Sequence, residues 1–278
     1  MNVNAIETTA DSPAPGESQI VQPVTKQDII ADLRALGVRS ESTVMVHTSL
    51  SALGWVVGGA QTVVEALQAV VGPEGTLVMP AQSWQLCDPA FLKQTPTEWW
   101  PIIRANQPFY DPAITPSQTM GAVAELFRTL PGALRSPHPH RSVAALGPNA
   151  EQIVASHPFD NPTGEQSPLG ALVRLDADIL LLGASSAKTT MLHLAEHRAT
   201  YPGKHTVTNG AAVLVGGKRE WVSWQEFAVR DDDFPQVIDA FGAETGLVRT
   251  HQVGNATARL MPAHELVDFA SDWFSKHR

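Results

Sequence analysis

The sequence feature that most constrains the fold and function of this chain is a buried-strand pattern followed by a helix with ionisable side chains. An apolar run over residues 177–182 predicts a strand, and residues 191–199 form a helix-like stretch after a polar loop. On that helix His193, Glu196 and His197 stand at positions i, i+3 and i+4, so their side chains leave from one face. Open α/β sheets bind ligands at the carboxyl ends of their strands. We therefore predict the catalytic centre here; the alternative is a surface helix with a solvated polar face.

Composition and charge narrow the classes of function. With 278 residues, 43% of them hydrophobic, the chain can bury a large core in one or two domains, and no Pro/Ser linker divides it. A formal charge of −9 argues against a nucleic-acid partner and suits a cationic substrate. The single cysteine, Cys87, excludes an intramolecular disulfide framework and a multi-cysteine zinc site. We expect one domain over residues 23–278, as a monomer or a homodimer.

Membrane and export signals are not found in the sequence. No stretch contains about 18 consecutive apolar residues, so no membrane span is predicted. Residues 1–22 include acidic residues, Pro and Ser but lack the basic and apolar regions of a signal peptide. We expect a disordered tail there and a cytoplasmic protein.

Strand and helix patterns alternate along the chain. A capping box from Thr25 to Asp28 begins a first helix, which Gly37 ends. Further helices are predicted over 61–71, 119–130 and 264–274, and strands over 44–46, 75–79, 143–146, 205–209, 211–215 and 221–223. Gly216 and Gly217 form a hairpin turn. These elements predict an α/β fold with a mixed central sheet.

Two segments predict ligand contacts. The strand at 44–46 is followed by a hydroxyl-rich loop of His47, Thr48, Ser49, Leu50 and Ser51. Hydroxyl and N–H groups ahead of a helix favour phosphate, although neither a P-loop nor a dinucleotide fingerprint is present. The second segment, residues 82–116, is long, irregular and rich in Pro and Trp, which is typical of a substrate wall or lid.

Aromatic and acidic residues are the candidate contacts for a cationic substrate. Most of them lie in that second segment, and one belongs to an acidic cluster at 231–233. The candidates are Trp84, Glu98, Tyr110, Asp111 and Asp231. A stiff, basic turn is predicted over residues 137–142.

The spacing of His193, Glu196 and His197 also matches H-x-x-E-H, the inverted zincin signature. In this interpretation the two histidines bind zinc and Glu196 is the general base of a hydrolase. A third ligand would come from a downstream carboxylate such as Glu226 or Glu265.

Seven stretches of the sequence form a pattern that is more specific than the H-x-x-E-H spacing. They are VMVHTSLSALG, VGGAQTVVEAL, GTLVMP, TMGAVAELFR, SPHPHRSVAALGP, SPLGALVRLDADILLLG and TTMLHLAEHRA. In this order, and over nearly the whole chain, they resemble the aminoglycoside N3-acetyltransferase family of antibiotic-resistance enzymes. The resemblance implies helices on both faces of a mixed sheet, a fold unrelated to the GCN5-type acetyltransferases. It also implies acetyl-CoA as donor, an aminoglycoside amine as acceptor at the 3-N position, and no metal.

The resemblance also implies roles for individual residues. His193 and Glu196 correspond to the family's catalytic pair. The segment HTSLS, around Ser49 to Ser51, borders the coenzyme A site. Further residues at that border are Thr119, Gly121, Arg141 and Ser142.

The chemistry of acetyl transfer fits the residues at 190–197. An amine attacks a thioester only as the free base, so a general base is needed, and His193 is the natural candidate. Glu196 can accept the Nδ1–H bond that fixes the imidazole tautomer. Thr190 can offer a hydroxyl to the thioester oxygen or to the departing thiolate. His197 is assigned a structural role.

One loop departs from the family pattern. Where relatives typically have something like GVGHDSNTSLH, this chain has GASSAKTTMLH from Gly183 to His193. The expected Asp is replaced by Ala187, with Lys188 beside it. This departure weakens the expectation of a polycationic aminoglycoside and leaves a different amine open as acceptor. A non-catalytic coenzyme A-binding protein is disfavoured, because it would not need the His193–Glu196 pair.

Overall fold

The strand Thr43–Thr48 lies at the centre of a seven-stranded sheet in the computed structural model, which describes residues 22–278. The strands are β1 Thr43–Thr48, β2 Thr76–Pro80, β3 Leu134–Arg135, β4 Val143–Leu146, β5 Asp178–Leu182, β6 Thr206–Val215, β7 Lys218–Phe227, β8 Arg249–Val253 and β9 Ala256–Pro262. The spatial order is β3-β4-β2-β1-β5-β9-β8, with β6 and β7 pairing separately. The tail predicted over 1–22 lies outside the described residues, except for Gln22.

Ten α-helices accompany the strands in this part of the chain. They are α1 Lys26–Leu36, α2 Gly59–Val71, α3 Pro89–Leu92, α4 Trp100–Asn106, α5 Ala122–Phe127, α6 Ala150–Val154, α7 Pro168–Arg174, α8 Leu192–Arg198, α9 Phe234–Thr245 and α10 Ala263–His277. Short 3-10 helices cover Leu50–Leu53, Trp84–Leu86, Thr97–Trp99 and Ser186–Lys188. No helix within 22–278 is long and apolar enough to cross a membrane.

The sheet is mixed, as predicted. β1 is parallel to both β2 and β5. β4 pairs antiparallel with β2, and β9 pairs antiparallel with β5. The carboxyl ends of β1, β2 and β5 therefore lie at one edge of the sheet.

Both faces of the sheet are buried because the central strands are apolar at nearly every position. In β5, Leu180 and Leu182 face a core that also contains α1, α2 and α5, whereas Ile179 and Leu181 face the core of α6 to α10. Successive strand residues point to opposite faces, so a continuous apolar run fills two cores. Helices cover both faces, which confirms the predicted α/β/α arrangement.

Local sequence signals are confirmed at several element ends. Thr25 Oγ1 accepts a hydrogen bond from Asp28 N, and Asp28 Oδ2 accepts one from Thr25 N at 2.9 Å, which completes the capping box. Gly37 ends α1 with a φ of 98°. Gly216 and Gly217, both with positive φ, form the turn between β6 and β7.

Other predicted bounds were wrong. β6 is a single strand that passes through Gly210, because this glycine pairs with Ser223 in register instead of breaking the ladder. The helix predicted from residue 119 begins only at Ala122, since Thr119 and Gly121 have positive φ values that a helix does not allow. The sequence did not reveal α9, β8 and β9.

Gly183 ends β5 in a position that only glycine fits, and we predict a specific cost for replacing it. Its φ is +70°, and a Cβ would lie 2.8 Å from Ala52 Cβ and 3.0 Å from Ala256 Cβ. The variant Gly183→Ala should lose about 2–4 kcal/mol of unfolding free energy, from backbone strain and overpacking together. Denaturant unfolding measures this loss.

Gly203 is the matched control for this prediction. Its φ is +79°, but no atom lies within 4 Å of the place that a Cβ would occupy, so Gly203→Ala carries the backbone strain without the clash. Equal destabilisation by the two substitutions would show that packing around Gly183 contributes nothing.

Candidate active site

His193 and Glu196 form a hydrogen-bonded pair on α8. Leu192, Leu194 and Ala195 are fully buried in the core, which fixes the rotation of this helix about its axis. His193 Nδ1 lies 2.5 Å from Glu196 Oε2. The Glu196 side chain is fully buried, whereas that of His193 is 14% exposed. The imidazole is thus fixed by a carboxylate at Nδ1, and another part of the ring stays exposed.

The second oxygen of Glu196 is bound by groups from outside α8. Glu196 Oε1 accepts hydrogen bonds from Arg278 Nη1 at 2.5 Å and from the backbone N–H of Arg230 at 3.0 Å. Arg278 also donates to Asp233, with Nε and Nη2 at 2.7 and 2.6 Å from its carboxylate oxygens. Burial opposes the charge of Arg278, but hydrogen bonds to Asp233 and Glu196 outweigh it and raise its pKa above the ordinary value.

An open cavity of about 470 Å³ lies in front of His193, at the carboxyl ends of β1 and β2. Eight of the residues predicted from sequence line it, and they come from separate parts of the chain. They are His47, Thr48, Trp84, Thr119, Arg141, Thr190, His193 and Asp231. The parallel alignment of β1 with β5 brings these segments together, as expected for ligand sites of open α/β sheets.

His47 is a buried, neutral histidine beside the pair. It is the fifth residue of β1, not a loop residue, because the strand is longer than the apolar pattern indicated. Burial, together with the charge of His193, lowers its pKa to about 4. Its Nε2 has no hydrogen-bond partner among the described residues. His47 is therefore an uncharged ring at the cavity wall near neutral pH.

Arg141 forms part of the cavity wall but is bound to a protein carboxylate. Its Nη2 donates to Glu226 Oε1 at 3.1 Å, and both side chains are buried. Its Cζ lies 5.0 Å from the centre of the Trp84 ring. A phosphate contact by Arg141 would have to use its remaining N–H groups, such as Nε, which has no partner within residues 22–278.

Comparisons with known proteins agree on one family. The sequence model of the aminoglycoside 3-N-acetyltransferase family matches residues 45–275. A prophage-derived aminoglycoside N(3')-acetyltransferase-like protein of Bacillus subtilis (strain 168) is 45% identical over 255 residues, covering 91% of this chain and 93% of that protein. The aminoglycoside N(3)-acetyltransferase VIII of Streptomyces fradiae is 40% identical over 263 residues, covering 90% and 92%.

This chain belongs to the aminoglycoside 3-N-acetyltransferase family. The crystal structure of the Bacillus subtilis protein superimposes with a TM-score of 0.89 at 44% identity, covering 92% of this chain and 95% of that one. A family member solved as a binary complex with CoASH has a TM-score of 0.83 at 32% identity, covering 92% and 97%. The resemblance and the fold predicted from sequence are confirmed, and the family consists of acyltransferases.

Several residues predicted for this acetyltransferase site lie elsewhere. Tyr110 and Ser142 are both buried, and their hydroxyls donate to the carbonyl oxygens of Ser136 and Ala81. Glu98 is exposed in a 3-10 helix, and Asp111 binds the N–H of Ala113 within its own turn. None of these four residues lines the described cavity.

Within the predicted coenzyme loop, His47 and Thr48 line the cavity, whereas Ser49, Leu50 and Ser51 lie beside it. Ser49 Oγ and Ser51 Oγ are 3.4 Å apart, and Leu50 packs on the core. A Cβ on Gly121 would lie 3.9 Å from the carbonyl oxygen of Thr48, so this glycine lies near the cavity edge. These residues stay candidates for contacts to the distal part of a coenzyme.

In the turn at 137–142 Arg141 carries the positive charge, because the two histidines of the turn are buried and neutral. His138 and His157 rings lie 4.8 Å apart, and His140 lies 5.2 Å from the Trp224 ring. Burial lowers the pKa of His140 to about 4 and that of His157 to about 3, and it lowers the pKa of His138 well below its ordinary value. These histidines form a neutral, packed layer behind Arg141.

The zinc hypothesis lacks its third ligand within residues 22–278. Those residues contain no group of three His, Cys, Asp or Glu side chains placed to hold a metal ion. Glu226 is bound by Arg141 and by Trp224 Nε1, and Glu265 is exposed on α10. The His197 ring packs edge-on against Phe227 at 5.6 Å, which suits its predicted structural role.

The buried histidines predict that the protein is sensitive to acid. His157 is neutral when folded down to about pH 3, but in the unfolded chain it takes a proton below about pH 6.5. Unfolding free energy should therefore fall as pH decreases from 6.5, by up to about 1.4 kcal/mol per pH unit for each such histidine. Denaturant unfolding at a series of pH values measures the slope.

Substitution of His157 tests the cause of this slope. His157→Gln should make the pH dependence of unfolding free energy less steep, whereas His205→Gln, at an exposed loop position, should leave it unchanged. An unchanged slope in His157→Gln would mean that this residue titrates normally in the folded protein.

Proposed function

We propose that this enzyme transfers the acetyl group of acetyl-CoA to an amino group of an aminoglycoside, at the 3-N position, by direct attack. The observation that carries the proposal is the hydrogen-bonded His193–Glu196 pair, in which Glu196 is buried and His193 lines the cavity. We assign the activity to residues 23–278. A cytoplasmic location and a monomeric or homodimeric state stay predictions.

His193 acts as the general base in this proposal. Because Nδ1 is bound to Glu196, the tautomer assigned from this hydrogen bond leaves Nε2 as the basic nitrogen. As the amine nitrogen attacks the thioester carbon, Nε2 takes its proton. The C–S bond then breaks, and the thiolate leaves and is protonated as CoASH. Glu196 stabilises the imidazolium while it exists.

Hydroxyl groups are available to stabilise the oxyanion. Thr190 lines the cavity, and its Oγ1 makes only a long contact of 3.5 Å to the carbonyl oxygen of Lys188. It can donate instead to the thioester oxygen, and the loss of such a donor typically costs about 10²-fold in rate. Thr48 offers a further hydroxyl on the side where we place the coenzyme, whereas the Thr119 hydroxyl donates to the carbonyl oxygen of Gln118 at 2.6 Å.

The charges of the cavity favour a second candidate acceptor, an amine with fewer positive charges. Asp231 is the carboxylate among the lining residues, and Lys188 and Arg141 are the cations. Ala187 also lines the cavity, where the resemblance leads us to expect an aspartate. A polycation would therefore gain little attraction here, since exposed ion pairs contribute up to about 1 kcal/mol each.

The first test removes the base. His193→Ala should lower kcat at least about 10²-fold while coenzyme affinity stays nearly unchanged, because the imidazole acts on the amine proton. Glu196→Gln should be less severe, since it keeps a hydrogen-bond acceptor but loses the charge. Thiol release from acetyl-CoA in the presence of aminoglycosides and simpler amines measures turnover.

Two results would contradict this mechanism. One is near wild-type turnover by His193→Ala with its best acceptor. The other is a loss of activity that arises entirely from weaker coenzyme binding, measured by calorimetry with CoASH.

A substitution in the loop before α8 tests the acceptor. Ala187→Asp should lower the KM for a polycationic aminoglycoside several-fold, and the gain should shrink between low and physiological salt. Ala187→Asn, of nearly equal size and without the charge, is the matched control and should leave KM unchanged. Equal KM values for the two variants would show that charge at this position does not select the acceptor.

A further inference from the structure

Arg278, which follows α10, is placed to control the catalytic carboxylate. Its guanidinium lies between two carboxylates, Glu196 and Asp233, and its side chain is 1% exposed. It packs 3.8 Å from the centre of the Phe274 ring, and its Nη1 also donates to Tyr201 Oη at 3.2 Å. A guanidinium held by so many contacts has one orientation.

The two oxygens of Glu196 are divided between different partners. Oε1 is taken by Arg278 Nη1 and by the N–H of Arg230, which leaves Oε2 for His193 Nδ1. If Arg278 were absent, the carboxylate could rotate about its last torsion, which has a broad energy well. Arg278 therefore selects the orientation in which Glu196 meets the imidazole.

Charge balance leads to the same conclusion. A buried carboxylate is costly to ionise unless a cation compensates it. The Arg278 guanidinium contacts both Glu196 and Asp233, and the Arg230 guanidinium, 3.5 Å from Asp233, contributes to the compensation of that second carboxylate. Glu196 is therefore compensated without losing its charge, which is available to the imidazolium that forms when His193 takes a proton.

We propose that Arg278 is a positioning residue for catalysis, which orients Glu196 and keeps it charged so that Glu196 can support His193 as the base. This inference rests on the proposed function of the His193–Glu196 pair. Arg278 itself is behind Glu196 and is not among the residues that line the cavity. Any effect of Arg278 on catalysis must therefore pass through Glu196, and this requirement makes the inference testable.

A double-mutant cycle tests the requirement. Arg278→Gln should lower kcat at least about 10-fold in the wild-type background, with KM for acetyl-CoA and for the amine within about 2-fold. In the Glu196→Gln background the same substitution should lower kcat less than about 2-fold, because the charge on which Arg278 acts is gone. Arg278→Lys keeps a cation but cannot bridge both carboxylates, so its loss in kcat should be intermediate.

Arg198 provides the matched control. It is also an arginine that joins α8 to α10, through Asp268, and it binds Glu165 as well, but it does not touch Glu196. Arg198→Gln should leave kcat within about 2-fold in both backgrounds. Thermal unfolding of every variant is recorded, and where Arg278→Gln does not fold, the cycle is run with Arg278→Lys.

The outcomes separate this inference from the proposed function. If His193→Ala keeps its turnover, both fail. If His193 is required but Arg278→Gln lowers kcat equally with and without the Glu196 charge, this inference alone is overturned. A change confined to KM, or an equal loss in Arg198→Gln, overturns it as well.

Discussion

The buried carboxylate of Glu196 is the constraint on which the site depends. A buried charged group must be compensated by hydrogen bonds and by an opposite charge, or it changes its protonation state and becomes neutral. Here the compensation comes from the N–H of Arg230 and from Arg278, which lie before α9 and after α10. The His193–Glu196 pair therefore keeps this geometry only when α8, α9 and α10 are packed together. The same network that supports His193 in its proposed role as the base also connects three helices on one face of the sheet.

The opposite wall of the site depends on the register between β1 and β5. Thr48 pairs with Leu182, so the two strands end side by side and their following loops meet. His47 reaches the cavity from one strand, and the loop that leads to His193 reaches it from the other. Because β1 is central and buried on both faces, this geometry is rigid. A rigid wall opposite the His193 imidazole suits the proposed reaction, which depends on the placement of a thioester and an amine.

Local signals predicted the parts of the site that lie close together in sequence. The end of β5, the helix α8 and the i, i+3 spacing of His193 and Glu196 were all visible, since strand and helix periods are short-range properties. Arg278 was not visible, because it lies 82 residues from Glu196 and is one of many arginines at a helix end. The acidic cluster at 231–233 provided a partial signal, but it indicated solvent or substrate, whereas Asp233 binds Arg278. The hydroxyls of Tyr110 and Ser142 donate to buried carbonyl oxygens, a role that sequence cannot distinguish from binding a ligand.

The chain as a whole is acidic, whereas the charges that line the cavity nearly cancel, and the two facts are compatible. The net charge of −9 is a property of the whole chain and guides approach over long distances, whereas selection depends on charges within a few ångströms of the bound amine. In the cavity Lys188 and Arg141 offset Asp231, and Glu226 in turn holds Arg141 from behind. The local field is therefore nearly balanced, although the surface is acidic. A cationic amine can be drawn to the protein and still gain little from each further positive charge. In the proposed reaction, selection of the acceptor is then left to shape and hydrogen bonding around His193.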